Sequence, residues 1–444
     1  MPLKAHLSRV SRRNVQTFKV NPLSEISGSL GDLGTLLPIF IALALNGSIA
    51  VSSTLVFTGL ANIATGLLFG LPIPVQPMKA IAAVAIDQHF SIQETAVAGL
   101  IVSVVIFLLS ISGTLDLLNQ YIPLPVVRGI QVGAGLQLII TAGTSLLKPL
   151  GWVRPSWADN HLWTLFAFVF LLLCTAYSKR HIPYALIITL LGVLFAILSP
   201  RDHYHSHTHP SLWNPQIYVP DLHDFKAALP AAIGQIPLTT LNSILATSHL
   251  SKHLFSEEPA PSLAHLGLTL SVTNFISFIF GGMPICHGSG GLAAQYHFGA
   301  RSGASVIFLG LVKLILGLFF ANPVVWVVER FPHSLLGIMV IAAGMELAKV
   351  AESLNTTALD LEENIDGNSF RMAGDEERKK RFSVMLVTIA GILAFKNDAV
   401  GFLAGVLWYI VLYWDKVWSN EGRRSWLGIF RAENTEETPL LDAQ

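Results

Sequence analysis

Charged side chains are scarce in this chain. Asp, Glu, Lys and Arg make up 13% of its 444 residues, whereas hydrophobic residues make up 52% and the mean hydropathy is +0.57. Soluble domains carry about 25% charged residues. The scarcity therefore excludes an ordinary soluble protein and a nucleic-acid-binding surface, and it indicates a chain that crosses the bilayer many times.

Cysteines and motifs for catalysis are also nearly missing. The two cysteines, Cys174 and Cys286, lie in apolar or mid-membrane stretches, so the sequence predicts neither a disulfide framework nor a metal cluster. Paired carboxylates, a nucleophile elbow and a metal-ligand cluster are not found in the sequence. We therefore expect no enzyme, no cofactor and no bound metal.

Long apolar runs predict an all-α polytopic membrane protein of about 14 transmembrane segments. The predicted spans are 29–45, 50–71, 77–89, 95–118, 126–143, 162–177, 183–198, 227–249, 263–280, 288–299, 302–321, 334–350, 383–395 and 399–414. Most Lys and Arg residues then fall on one side, which the positive-inside rule assigns to the cytosol together with both termini. An odd number of spans per half predicts a 7+7 inverted repeat.

This arrangement divides the chain into five parts. They are a cytoplasmic N-terminal tail (1–25), a first repeat (26–199), a non-cytosolic connector (200–226), a second repeat (227–416) with a cytoplasmic loop (352–381), and a cytoplasmic tail (417–444). We interpret the loop at 352–381 as mobile rather than as a folded domain.

Two of the predicted polar segments carry motifs of their own. The connector contains alternating histidines, interpreted as a solvated loop, with a weak metal site or a pH-sensitive patch as alternatives: His203, His205, His207 and His209. The tail contains Glu436, Leu440 and Leu441 in the pattern of an acidic di-leucine sorting signal. That pattern predicts a sorting adaptor as partner and the vacuolar membrane as destination, with the plasma membrane as the alternative.

Two short interruptions lie at matching points of the halves, in segments 3 and 10. Pro72–Lys79 contains three prolines, which a continuous helix does not accommodate, and Gly282–Gly291 is rich in glycine. The apolar run after each holds ~12 residues, which as a helix spans about half of the hydrocarbon core. Such half-helices in corresponding positions indicate the substrate site of a transporter.

The first interruption predicts an anion site. Pro77 suits the first position of a helix with Gln76 as its cap, which would leave the amides of Met78, Lys79 and Ala80 unpaired. Those amides, the positive helix end and the Lys79 ammonium all favour an anion. The alternative for Lys79 is that its side chain snorkels to the interface.

The second half supplies further candidates for binding the anion. His287, Gly288, Ser289 and Gly290 combine a titratable ring, a hydroxyl donor and glycines that let backbone amides approach a ligand closely. Gln235 occupies the matching point in the first span of this half. Its neutral amide either donates to an oxyanion or forms a hydrogen bond between helices.

Ionisable residues within spans are the candidates for proton coupling, because placing them in the bilayer is costly. Asp32 lies in the Gly28–Gly34 stretch, where three glycines at three-residue spacing allow close helix contact. Its carboxylate either accepts a proton, orients a Gln or Lys side chain, or forms a hydrogen bond with a neighbouring helix. His287 is the second candidate. Glu346 is the third, with simple solvation at a helix end as its alternative.

Three stretches of the chain resemble motifs of the eukaryotic molybdate transporters, a branch of the sulfate permease superfamily that lacks a STAS domain. They are Gly28–Thr35, Pro74–Ala85 and Gly282–Arg301, followed by Ser302 where the family often has Thr. The resemblance implies core and gate domains of intertwined repeats, an oxyanion between segments 3 and 10, an elevator-like movement and a homodimer.

The function that follows as an expectation is high-affinity molybdate transport into the cytosol. Bringing a dianion into a cytosol 100 mV negative costs roughly 4.6 kcal/mol, so proton cotransport is expected. Molybdate and sulfate are both tetrahedral dianions, which leaves a sulfate or other oxyanion exchanger as the first alternative. A protein that senses molybdate without moving it is the second.

Overall fold

The computed structural model describes residues 3–115, 122–176, 184–199, 212–356, 361 and 373–414, leaving aside the side chains of Leu3, Lys4 and Asp32. The histidines at 203–209, half of the predicted loop 352–381, and the tail with Glu436, Leu440 and Leu441 lie outside the described residues.

The described elements of the first half are almost entirely helical. They are α1 (Leu3–Val20), α2 (Pro22–Ser29), a 3₁₀ turn (Leu30–Asp32), α3 (Leu33–Leu45), α4 (Val51–Phe69), β1 (Val75–Pro77), α5 (Lys79–Gln88), α6 (Ile92–Ser112), α7 (Leu124–Thr141, continued as a π-helix to Leu147), α8 (His161–Ala176) and α9 (Tyr184–Leu198).

The second half has the same order of a long helix, a short strand and a short helix. Its elements are α10 (Leu222–Leu238, continued as a π-helix to Leu245), α11 (Ala246–Leu254), α12 (Leu263–Ile279), β2 (Ile285–His287), α13 (Ser289–His297), α14 (Ala304–Phe319), α15 (Ala321–Glu329), α16 (His333–Ala348, continued as a 3₁₀ helix to Asn355), α17 (Asp375–Phe395) and α18 (Asp398–Leu412).

A helix lies at each predicted apolar segment, and four of the described helices are long and apolar enough to cross a bilayer. These are α4, α6, α7 with its π-helical end, and α16 with its 3₁₀ end; the bent pair α2–α3 would make a fifth. Helices α8, α9, α12, α14 and α18 are apolar but shorter. The count of about 14 spans, made on apolar runs, stays a prediction.

Three boundaries differ from the prediction. The N-terminal tail contains helix α1, and α15 follows α14 as a separate helix. Helix α17 begins at Asp375, inside the segment interpreted as a mobile loop. Its first turn carries Asp375, Glu376 and Glu377, and acidic side chains stabilise the positive end of a helix even where hydropathy gives no signal.

Helix packing groups the elements into two bundles, and each bundle takes helices from both halves. In the first, α4 packs on α14, and α6 packs on α10 and α12. In the second, α7 packs on α16 and α17, and α17 packs on α18. The bundles contact each other through α5 with α7, α10 with α18, and α3 with α16.

Glycines set the closest contact between the halves. A Cβ at Gly59 of α4 would lie 2.7 Å from the carbonyl oxygen of Gly310 in α14, and one at Gly66 would lie 2.6 Å from that of Gly303. Real Cβ atoms do not approach so closely, so these helices cross backbone to backbone. This contact fixes the chain just before β1 against the chain just after α13.

Candidate anion-binding site

Strands β1 and β2 bring the two interrupted segments together. They pair antiparallel with Val75 opposite His287, Gln76 opposite Cys286 and Pro77 opposite Ile285. The pairing is extended by the Met78 amide, which donates to the Pro284 carbonyl at 2.9 Å. Helices α5 and α13 follow directly after their strands, so their N-termini start at one shared place. The predicted meeting of the two half-helices is therefore present in the structure.

A cavity of about 630 Å³ lies in front of these helix starts. Its polar lining near the helix starts consists of Thr35, Gln76, Lys79, Asn242, Ser289, Gly290 and Gly291. From there the cavity extends past Arg128, Gln131 and Tyr184 to Glu346, Val350 and Ser353 at the end of α16. The starts of the two half-helices therefore lie at one end of a cavity with a partly polar lining, and the other end of the cavity reaches an exposed polar segment.

The start of α5 is largely closed by Gln235. The Oε1 atom of this side chain accepts hydrogen bonds from the amides of Ala80 at 3.0 Å and Ile81 at 3.4 Å. Its Nε2 atom donates to Thr239 Oγ1 at 2.9 Å, and the residue is completely buried. Gln235 is therefore a cap of the half-helix contributed by α10, and its amide group is already used.

The start of α13 is open. Its first-turn amides, from Ser289 to Gly291, have no acceptor within the helix, and the hydrogen bonds of the described residues include none for them. All three residues line the cavity. The Ser289 hydroxyl donates to Asn242 Oδ1 at 3.3 Å, which orients it beside these amides. Three backbone donors therefore face the cavity at the positive end of a helix, an arrangement that binds anions.

Lys79 supplies the positive charge at this site. It is the first residue of α5, it lines the cavity, and within the described residues it makes neither an ion pair nor a hydrogen bond. Gln76 lies beside it, with Nε2 donating to Thr35 Oγ1 at 3.2 Å. Arg128 lines the cavity farther along, where its guanidinium donates to Gln131 Oε1 at 3.0 Å. The cation nearest the half-helix starts is thus Lys79.

The structure brings some of the predicted site residues to the cavity and separates others from it. Those that line it are Gln76, Lys79, Ser289, Gly290 and Glu346; those that do not are Met78, Ala80, Gln235, His287 and Gly288. The predicted start of the first half-helix was two residues early, because Pro77 belongs to β1 and Met78 is the cap residue. Of the three amides predicted to be unpaired, those of Met78 and Ala80 are paired.

His287 lies on the other side of its strand. Its Nε2 atom is 3.1 Å from Thr269 Oγ1, its ring packs edge-on against Phe69, and it borders a small separate void next to Ala61 and Thr65. Neighbouring residues of a strand point to opposite faces, so the pairing that presents Gln76 to the cavity turns His287 away. The structure gives this histidine no contact with the candidate site.

The remaining candidates for proton coupling differ in position. Asp32 ends the 3₁₀ turn between α2 and α3, and its side chain is outside what the structure describes. The nearby glycines behave as predicted at two of three positions, since Gly28 abuts Ala300 and Gly31 abuts Ala294 of α13. Glu346 is exposed at the far end of the cavity.

Sequence reasoning missed several residues of the cavity. Thr35, Arg128, Gln131 and Asn242 are polar residues within predicted apolar runs, and only their packing brings them to one space. For Asn242 a signal was present, because it follows Pro237 in the π-helical continuation of α10. Such irregular helix is frequent at functional sites.

Comparison with known proteins finds similarity to molybdate transporters. The family model described as "Molybdate transporter of MFS superfamily" matches residues 24–138 and 227–347. "Molybdate transporter 2" of Arabidopsis thaliana is 39% identical over 88% of each chain. "Molybdate transporter 1" of the same plant is 35% identical over 88% of each chain. "Molybdate transporter 1" of Chlamydomonas reinhardtii is 28% identical over 92% of this chain and 94% of its own. These relatives are named as transporters, not enzymes.

Solved structures match the fold at low identity. SLC26A9 has a TM-score of 0.60 and 15% identity, covering 89% of this chain and 65% of its own. The transmembrane domain of the cyanobacterial bicarbonate transporter BicA gives 0.56 and 14%, covering 88% and 97%. Murine Slc26a9 in the inward-facing state gives 0.61 and 14%, covering 89% and 69%. The chain therefore has the fold of these membrane proteins.

Proposed function

This chain belongs to the molybdate transporter family, and from that premise we propose that it carries molybdate across a membrane. The observation that carries the proposal is the pairing of β1 with β2, which brings the N-terminus of α13 and the Lys79 side chain at the start of α5 to one cavity. A transporter of a tetrahedral dianion needs such a concentration of positive charge and amide donors.

The two half-helices would divide the binding of molybdate between them. Lys79 provides the full positive charge on the α5 side, while the amides of Ser289, Gly290 and Gly291 provide short-range donors on the α13 side. Charge-assisted hydrogen bonds are about twice as strong as neutral ones, so the same amides bind a dianion better than they bind water. The cavity is much larger than the ion, and we place the ion at its half-helix end.

The shape of the cavity supports alternating access. It reaches Glu346 and Ser353 at one end, and at the other end the bundles are joined by Lys396 Nζ and Asp87 Oδ1 at 3.3 Å. Asp87 also accepts from Thr141 Oγ1 at 2.9 Å, which ties α5 to α7. By the charge rule the open end is cytosolic. We propose that the α4–α14 bundle moves against the α7–α17 bundle in an elevator-like step, with this conformation facing inward.

Proton coupling completes the proposal. Uptake of a dianion against a membrane potential needs roughly 4.6 kcal/mol at 100 mV, and the proton gradient is a general source of that energy. Of the sequence candidates, Glu346 lines the cavity, and Asp32 lies in the chain between two residues that line it, Gly31 and Leu33. His287 is directed away from the cavity. Transport into the cytosol, cytosolic termini, a vacuolar destination and a homodimer remain predictions.

Transport by the purified protein in proteoliposomes tests the function. Radiolabelled molybdate should accumulate inside and be displaced by unlabelled molybdate at lower concentration than by sulfate. Accumulation should increase when the outside is made acidic. Equal competition by sulfate would favour a general oxyanion exchanger, and saturable binding without flux would favour a sensor.

A further inference from the structure

Asp398 is a buried acidic residue that the site described so far does not use. It is the first residue of α18, it has 0% of its surface exposed, and neither carboxyl oxygen has a hydrogen-bond partner among the described residues. Buried carboxyl groups in proteins are almost always hydrogen-bonded or ion-paired. The environment of Asp398 therefore calls for an explanation.

The carboxyl group lies where the two bundles meet. Helix α18 packs against α10 there, and Gly234 of α10 abuts the Asp398 side chain so closely that a Cβ at this glycine would overlap the Asp398 Cβ. Gly234 immediately precedes Gln235, the residue that caps half-helix α5. A change in the charge or position of the Asp398 side chain would therefore act on Gly234, the residue next to the Gln235 cap of α5.

Charged groups on the surrounding helices do not compensate it. On α10 they are confined to the first turns, at His223, Asp224 and Lys226; on α7 the charged residue is Arg128; and on α17 all of them lie between Asp375 and Arg381, at the other end. On α5 the acidic Asp87 is paired with Lys396, the basic residue just before α18. None of these described groups forms an ion pair with Asp398.

Ionisation of Asp398 in this position would be unfavourable. Removing a carboxylate from water without a partner costs more than the attraction of a helix N-terminus returns. A neutral carboxyl group has no such cost. The packed contact between α10 and α18 is therefore compatible with the protonated side chain and opposed by the charged one.

We propose that Asp398 is a proton-binding group whose protonation is required for the packed α10–α18 contact. The inference rests on the proposed transport function, to which it adds a site for the coupling proton. When the bundles separate at this end, the carboxyl group meets water and takes up a proton from that compartment, and the contact then packs around the neutral side chain. Low pH in the compartment it then faces favours the packed conformation, and rising pH favours its opening.

Labelling of the wild-type protein with dicyclohexylcarbodiimide tests the proton itself. This apolar reagent modifies protonated carboxyl groups in apolar surroundings. We expect mass spectrometry of peptides to find Asp398 modified at about pH 5.5, with at least about tenfold less modification when the pH is raised by several units. Asp87, at the same end but paired with Lys396, is the internal control and should remain unmodified. Modification of Asp398 no greater than that of Asp87, or independent of pH, would overturn the proposal.

The variant Asp398→Asn tests the consequence for transport. It imitates the neutral side chain, so the initial rate of molybdate uptake should vary less than about twofold over an external pH range in which the wild type changes up to about tenfold per unit. The molybdate affinity should stay within about threefold of the wild type, because Asp398 does not line the cavity. The variant Glu329→Gln, at an exposed position at the end of α15, should keep the wild-type pH profile.

A wild-type pH profile in Asp398→Asn would contradict the inference. If the wild type itself takes up no molybdate, the proposed function fails instead, and the carbodiimide result still decides whether Asp398 holds a proton.

Discussion

The two half-helices have the same local architecture but different chemistry at their starts. Each follows a three-residue strand, yet α5 begins with a lysine and has two amides taken by Gln235, whereas α13 begins with Ser289, Gly290 and Gly291 and keeps its amides free. One side provides charge and the other provides hydrogen-bond donors. Two segments with the same order of strand and helix can thus contribute complementary parts of one cavity.

Removing the positive charge at the start of α5 should have the largest effect on molybdate binding. Lys79→Met removes the ammonium and keeps the length of the side chain. We expect the Kd for molybdate to rise about 100-fold, because a hydrogen bond to a charged group contributes about 1.5–3 kcal/mol. Isothermal titration calorimetry measures this, with Lys349→Met at an exposed position as control. Equal Kd values for the two variants would assign molybdate recognition to the α13 side alone.

Removing the Gln235 cap from the start of α5 should have the second-largest effect. Gln235→Leu leaves the amides of Ala80 and Ile81 buried without an acceptor, and each such loss costs about 1–3 kcal/mol. The thermal unfolding midpoint in detergent should fall clearly. Thr240→Val, on the same helical stretch, removes only hydrogen bonds to carbonyls of its own helix and should change the midpoint less. If Gln235→Leu instead leaves stability unchanged and raises affinity, the cap competes with the ion for the same amides.

Alanine substitutions at Gly288 and Gly290, at the start of α13, should differ in their effects on stability. A Cβ at Gly288 would overlap Gln76 Oε1, whereas a Cβ at Gly290 meets nothing within 4 Å. Gly288→Ala should therefore cost on the order of 1–2 kcal/mol in stability, because Gln76 is buried but its carboxamide is able to shift. Gly290→Ala should fold normally and weaken molybdate binding by partly filling the cavity. The reverse order of the two stability changes would contradict the assigned geometry.

The smallest expected effect is at the hydroxyl group. Ser289→Ala removes the hydrogen bond to Asn242, and one neutral hydrogen bond contributes about 0.5–1.5 kcal/mol. Initial uptake rates at subsaturating molybdate should fall less than about tenfold. Ser289→Thr keeps the hydroxyl and should recover most of the loss. An effect as large as that of Lys79→Met would mean that the hydroxyl contacts the ion directly.

Local signals in the sequence predicted the half-helices but not their surroundings. Prolines in Pro72–Pro77 and glycines in Gly282–Gly291 interrupt helices wherever they occur, so these breaks could be located to within two residues. The cap by Gln235 depends on how α10 lies against α5, which no local pattern encodes. Asp398 was missed because it falls between two apolar runs, where a carboxylate is ordinarily solvated.

The sequence by itself determined the membrane character, the positions of the helices within the predicted apolar runs and the two broken elements, because hydropathy, proline and glycine act through the local backbone. Only the tertiary structure decided which polar groups face the cavity. The pairing of β1 with β2 sets which face each side chain takes, so Gln76 reaches the cavity and His287 does not. Burial is likewise a property of packing, and it separates the exposed Glu346 from the enclosed Asp398.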